Sequence, residues 1–241
     1  MRKNLYADLY TLEESHWWHR AKRTLCLSFI QKVSQGKKTK ILDIGCGTGG
    51  NIKAFSQFGT TYGIDNSKSA IEFCTKRRLK RVKIGSAYAS GMPASFFDVV
   101  TLLDVLEHIE EKKALREIKR VLKPGGTLII TVPAYQLLWS EWDVVLHHKR
   151  RYNKTQLTGL LTTEGFVINK CSYLYSFLFL PVLLIRSLKM LVKKKEYTSD
   201  FTINAKPINN FLLFLATIEQ RILMARQIPF GTSIICIANR P

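Results

Sequence analysis

Acidic side chains are scarce: 18 Asp and Glu stand against 37 Lys and Arg, a formal net charge of +19. That imbalance favours an anionic neighbour, either nucleic acid or an acidic membrane surface, and carries no information about fold. Cysteine is sparse as well. Cys26, Cys46, Cys74, Cys171 and Cys236 are scattered and odd in number, so neither a disulfide framework nor a zinc site with Cys/His spacing is expected, and a reducing, cytoplasmic setting is the simpler reading. The N-terminal MRKNLYADLYTLEESHWWHR has none of the apolar core of a signal peptide, so secretion is not expected. No unbroken apolar run reaches the roughly 20 residues of a bilayer crossing. The nearest approach, YLYSFLFLPVLLIRSLKMLVKKK, is interrupted by Pro181 and Arg186 and closes on Lys193, Lys194 and Lys195. It reads as an interfacial element or a hydrophobic lid packed on the sheet in preference to a spanning helix. Core material is plentiful: 46% of the 241 residues are hydrophobic, enough for one α/β domain with additions and too many for a disordered chain.

Strand and helix alternate from about residue 40 to 133. Lys40 to Asp43 reads as a buried strand entered from the basic linker GKKTK, and the glycines after it open a helix toward Phe58. TTYGIDNS gives a strand ending at Asp65, SKSAIEFCTKRRLK a helix, RVKIG a third strand, and FFDVVTLLDVLEH a central, β-branched fourth. EEKKALREIKRVLKPGG predicts a helix with Ala114, Ile118, Val121 and Leu122 inward, stopped by Pro124 and the glycine pair. TLIITVP follows as the fifth strand. This alternation is the pattern of a doubly wound α/β sheet. TQLTGLLTTEGF and VINKCSY add a helix and a strand, FLLFLATIEQRI a further helix, and GTSIICIAN a closing strand. The expected organisation is an N-terminal helical cap over 1–36, a core over 37–172, a hydrophobic and basic helical insertion over 173–227, and a closing strand over 228–241.

The stretch ILDIGCGTGGN contains Gly45, Gly47 and Gly50 and formally satisfies the G-x-G-x-x-G dinucleotide fingerprint. Asp43 argues against that reading, because a carboxylate beside the turn repels a pyrophosphate and favours a cationic ligand. Asp65 ends the second strand about 20 residues later, where a carboxylate accepts the hydroxyls of an adenosine ribose. Two acids and no phosphate-seeking Lys in the turn point to S-adenosylmethionine, a nucleoside with a sulfonium and no phosphate. The plainer alternative is that Asp43 merely caps the turn that follows it and Asp65 the next helix.

The chain resembles the class I S-adenosylmethionine-dependent methyltransferase family. ILDIGCGTGGN is similar to its first motif, YGIDNS to its ribose-binding motif, and FFDVVTLLDVLEHI with LKPGGTLIITVP to its later motifs, over roughly residues 16 to 170. The likeness extends to HWWHRAKR and to the connector after strand five in a broad subgroup of bacterial methyltransferases that act on small or lipid-type molecules. It implies a Rossmann-like seven-stranded sheet with the last strand antiparallel. It also implies that Asp43, Gly45, Cys46 and Gly47 line the methionine side, Asp65 takes the ribose, Asn66 lies beside the adenine, and Asp104, Val105 and His108 edge the pocket. The family often has Gly-Asp after the third strand. Here Gly85 is followed by Ser86 and Ala87, which would have to meet the base instead. Trp17, Trp18 and Arg20 would belong to a water-excluding N-terminal helix or lid.

Methyl transfer from a sulfonium is an in-line displacement in which positioning supplies most of the effect. For a hydroxyl acceptor a base is useful, and His108, His147 and His148 are the candidates because imidazole titrates near neutrality. The connector AYQLLWSEWDVVLHHKRRYNK sets Tyr135 and Trp139 near His147, His148 and Arg151, a composition suited to substrate recognition or, equally, to anchoring a long loop. No metal site is expected. RNA is the less favoured partner, since no RNA-binding module is appended. The favoured reading is O-methylation of a small-molecule or lipid-like acceptor by a cytoplasmic protein associated peripherally with the anionic inner membrane face. An RNA methyltransferase and a non-catalytic cofactor-binding module are the alternatives.

Overall fold

The computed structural model describes residues 3–191 and 205–241. The chain opens with two helices, α1 (Lys3–Leu12) and α2 (Trp17–Ser34), before β1 (Thr39–Ile44), α3 (Gly50–Phe55), β2 (Gly59–Asp65), α4 (Lys68–Lys76), β3 (Val82–Ile84) and β4 (Phe97–Leu103). Then come α5 (Glu111–Val121), β5 (Leu122–Pro133), α6 (Glu141–Val145), α7 (Lys154–Thr163), β6 (Val167–Leu174), α8 (Phe179–Leu191), α9 (Lys206–Ala225) and β7 (Ser233–Asn239).

The seven strands form one sheet in the order β3-β2-β1-β4-β5-β7-β6. Strands β1 to β5 pair in parallel, while β7 lies antiparallel between β5 and β6, as the resemblance implied. The central strands carry Ile41, Leu42, Val99, Val100, Leu102 and Leu128 to Ile130, all fully buried. Such near-continuous apolar runs follow from burial of a parallel sheet on both faces. Chain direction across the sheet reverses between β1 and β4, so the crevice beyond their C-terminal ends is where a ligand is expected in a doubly wound fold.

Three expectations need correction. Helix α5 ends at Val121, and Leu122 already pairs with Phe97. Pro124, Gly125 and Gly126 bulge out before Thr127 rejoins opposite Val99, and the carbonyl of Arg240 accepts from Gly125 N–H at 2.7 Å. The residue before a proline resists helical geometry, so the helix stops earlier than the glycine pair suggests. Strand β6 runs one residue past the expected VINKCSY, so Leu174 belongs to the sheet and not to the apolar run after it. Pro181 does not break that run: it is the third residue of α8, where backbone N–H groups have no helical partner to lose.

Trp17 and Trp18 are core anchors. Trp17 is buried, and both rings pack on Tyr175, Trp18 at a centroid distance of 4.4 Å. α2 packs against α9, where Gln220 donates to the carbonyl of Ala21 at 2.8 Å and Asn209 accepts from Trp17 N–H at 2.7 Å. The opposite faces of α8 and α9 expose apolar side chains, Leu180, Leu184 and Leu188 on one and Ile208, Phe211, Phe214, Ile218 and Ile222 on the other. Among the described residues, no helix is long and apolar enough to cross a membrane. The basic run Lys193, Lys194 and Lys195 lies outside the described residues.

Candidate functional site

The glycine turn between β1 and α3 is hemmed in by the chain's own side chains. Gly45 has φ 73°, and a β-carbon there would collide with Val105. The third glycine of the fingerprint, Gly50, makes room for Glu13: its N–H donates to Glu13 Oε2 at 3.1 Å, and a β-carbon would strike the carboxylate. Glu13 also accepts from the Thr48 hydroxyl and from Arg77 at 2.6 Å, while Arg77 Nε donates to the Thr48 carbonyl at 3.0 Å. An internal carboxylate therefore sits at the start of α3, where a dinucleotide protein holds its pyrophosphate. The fingerprint and the carboxylates near it are reconciled, since the anion in this turn is the protein's own.

α1 lies across the same turn. Leu9 packs over Gly47, the Tyr6 hydroxyl reaches Ser67, and Tyr10 packs on Phe73 at 4.9 Å. The Trp17–Trp18 helix, α2, reaches the turn as well, through Arg23, which donates to Asn51 Oδ1 at 3.3 Å and to the carbonyl of Glu13 at 2.7 Å. Glu13 and Arg77 were missed; the available signal was a Glu-Glu pair just ahead of a helix in a chain poor in acids.

Asp43 is fully buried; Thr101 donates to its Oδ1 at 2.6 Å, and Oδ2 has no partner among the described residues. Burial pushes its carboxyl up to about 7, with Asp65 and Glu13 adding repulsion. Asp65 accepts from Gly47 N–H and Ser67 N–H, both at 2.9 Å, so it ties the turn to the end of β2 and keeps lone pairs for a ligand. Burial raises its pKa too. The helix cap is Ser67, whose hydroxyl accepts from Ala70 N–H. Cys46 packs with Ile52 and Cys74. Asn66 is exposed at the edge of the turn. Ser86 spends its hydroxyl on Tyr88 N–H at 3.1 Å, and Ala87 packs against the core.

At the end of β4, Asp104 takes φ 54°, Lys22 pairs with its Oδ2, and Thr131 donates to its Oδ1 at 2.9 Å. Lys22 is buried, which pulls its ammonium down to about 8. The next turn, Leu106–His108, meets the connector. The rings of His108 and His148 lie 4.7 Å apart, edge to face, and His148 Nε2 is 4.0 Å from Glu107 Oε1. Burial and the neighbouring His148 push His108 down to about 4, so the expected titration near neutrality does not hold there. Glu107 is 1% exposed, and burial pushes it up to about 8. Its place in DVLEHI, directly before His108, was the signal that could have found it.

The Arg151 guanidinium forks onto Asp143 at 2.8 and 2.9 Å. Asp143 also binds His148 Nδ1 at 2.8 Å. Burial alone would raise Asp143, but the bonds from His148 and Arg151 overcome it and hold the carboxyl well below the usual range. The Tyr135 ring stacks on Tyr173 at 4.9 Å, Trp139 is half-buried, and His147 is exposed. Tyr135, Lys149, Arg150, Arg151 and Gln156 border a cavity of about 510 Å³ beside this cluster. Another, of about 390 Å³, lies near Lys37, Lys38 and Gln57, at the opposite ends of β1 and β2 from the turn.

Residues 42–130 match the methyltransferase domain family. The matched region spans the glycine turn, both acids and the end of β4. An uncharacterized methyltransferase of Schizosaccharomyces pombe is 33% identical over 64% of this chain, and the chain spans 61% of that relative's length. The mitochondrial ubiquinone biosynthesis O-methyltransferase of the same yeast is 36% identical over 41% of this chain and 39% of its own. Among solved structures, phosphoethanolamine N-methyltransferase 2 of Haemonchus contortus, in complex with S-adenosyl-L-methionine, superposes with a TM-score of 0.57 at 23% identity, over 89% of this chain and 52% of that one. At that identity the likeness is one of fold.

Proposed function

We propose that this chain is an S-adenosylmethionine-dependent methyltransferase acting on a hydroxyl of a small-molecule or lipid-like acceptor at an anionic membrane surface. One observation carries the reading. Asp43 and Asp65 frame a turn whose anion position is already taken by Glu13, which favours a cationic nucleoside over a dinucleotide. The relatives support it: the yeast ubiquinone enzyme is named an O-methyltransferase, and the Haemonchus enzyme was solved with the cofactor. Asp65 would receive the ribose and Asp43 the cationic methionine end, with Gly45 and Gly47 allowing close approach. Asn66, Ser86 and Ala87 would border the base.

The acceptor would enter from the connector side. There His108 and His148 stand together at the end of β4, where a hydroxyl must lose its proton, beside the cavity bordered by Tyr135 and Arg151. Holding acceptor and donor in line supplies most of the rate effect, because the sulfonium carries its own activation. The apolar stripes of α8 and α9, in a chain of net charge +19, match what interfacial binding to acidic lipid needs.

Methyl-labelled cofactor incubated with lipid, aqueous-metabolite and RNA fractions tests the acceptor. Label in the lipid or metabolite fraction is expected, and label in RNA alone overturns the reading. Sedimentation with anionic vesicles should fall when Phe211 and Phe214 are changed to Ser. An absence of any vesicle binding removes the membrane part.

A further inference from the structure

We propose that Glu107, His108 and His148 bind one divalent transition-metal ion, with Zn²⁺ as the fitting occupant, at the acceptor end of the cleft. Each residue offers one ligand atom, and the three atoms lie within 4.8 Å of one another. Glu107 is 1% exposed, yet neither carboxylate oxygen has a hydrogen-bond partner among the described residues. A buried carboxylate of that kind calls for a cation, and the nearby protein cations are engaged elsewhere. Lys22 pairs with Asp104, and Arg151 forks onto Asp143.

The imidazoles are oriented for the task. His148 is bound through Nδ1 to Asp143 Oδ1 at 2.8 Å, and His108 through Nδ1 to the carbonyl of His147 at 3.4 Å. Each ring therefore keeps Nε2 for a ligand bond. A carboxylate or carbonyl on the far nitrogen is the usual support of a metal-binding histidine. Asp143 is itself fixed by Arg151 and by Ser140 N–H at 2.7 Å. Two imidazoles and one carboxylate make a zinc donor set that leaves a fourth position open. The sequence concealed the site because its ligands come from segments 40 residues apart and include no cysteine.

The use of the open position rests on the methyl-transfer reading. An acceptor hydroxyl bound there becomes more acidic and releases its proton to solvent. Its oxygen then forms the O–CH₃ bond as the S–CH₃ bond of the cofactor breaks, and the electron pair of that bond stays on sulfur to give a neutral thioether. Val105, two residues before Glu107, packs on Gly45 of the cofactor turn, which keeps the two halves of the reaction close together.

The test is calorimetric titration of the chelator-stripped full chain with Zn²⁺, together with the absorption spectrum of the Co²⁺ form. One ion per chain is expected, with Co²⁺ bands of nitrogen and oxygen ligation and no thiolate charge-transfer band. Affinity should fall at least tenfold in Glu107→Gln and in His148→Gln, with circular dichroism confirming that both variants fold. Failure of Zn²⁺ to bind, or binding unchanged in both variants, overturns the site. Zinc binding that survives alongside an absence of methyl transfer upholds the site and removes only the reading of the reaction.

Discussion

Two buried glutamates, Glu13 at the glycine turn and Glu107 just beyond β4, are treated in opposite ways. Glu13 accepts from Gly50 N–H, the Thr48 hydroxyl and Arg77, whereas Glu107 has no hydrogen-bond partner for its carboxylate among the described residues. The first closes a site, replacing with a protein carboxylate the phosphate that the turn would otherwise attract. The second leaves a site open to a cation. Asp43 falls between them, with one oxygen bonded to Thr101 and the other unpaired. Glycine pattern alone therefore does not say what a turn of this kind holds; the anion already seated in it does.

The largest expected effect is on the closed end. Arg77→Ala strands Glu13 as a buried charge and removes bonds to Thr48 and Tyr10, so unfolding in urea should show a loss of about 3 kcal/mol. Asp43 comes next. Its folded pKa of about 7 lies above the unfolded value of 3.8, so the folded state holds the extra proton. The stability it contributes is fully present below about pH 4 and is lost as pH rises through about 7. The cofactor-free protein should lose about 2 kcal/mol from this group between pH 5 and 7. Asp43→Asn should flatten that part of the profile; an unchanged slope would assign it to another group.

Asp65→Ala should weaken S-adenosylmethionine binding by about 10- to 100-fold in calorimetry, the worth of one or two hydrogen bonds to a charged group. Unchanged affinity removes the ribose role. The smallest effect is also the sharpest contrast. Glu13→Gln should destabilise by about 1 kcal/mol, since it weakens satisfied charged bonds, while Glu107→Gln in metal-free protein should be neutral or slightly stabilising. The same sign for both substitutions would break the comparison.

Most of the sheet was legible in the sequence, because β1, β4 and β5 are runs of Ile, Leu and Val that only a doubly covered strand explains. The antiparallel placement of β7 came from resemblance; nothing in SIICIAN itself encodes direction. The end of α5 was misread because Pro124 acts on the residue before it, ahead of the glycines. Within the site, Asp43, Gly45, Gly47 and Asp65 converge as expected, for they flank consecutive strands and turns. The pairing of Arg151 with Asp143 and of Asp104 with Lys22 was not legible. Partner choice among charged groups depends on folding distance, and Glu13 reaches Gly50 across 37 residues, which no local spacing reveals.

The central claim is that a protein carboxylate occupies the phosphate position and leaves the cleft to a cationic nucleoside. Calorimetric titration of the full chain with S-adenosylmethionine and, in parallel, with NAD tests it most directly. The account predicts saturable binding of S-adenosylmethionine and at least tenfold weaker binding of NAD. Tighter binding of NAD would contradict it.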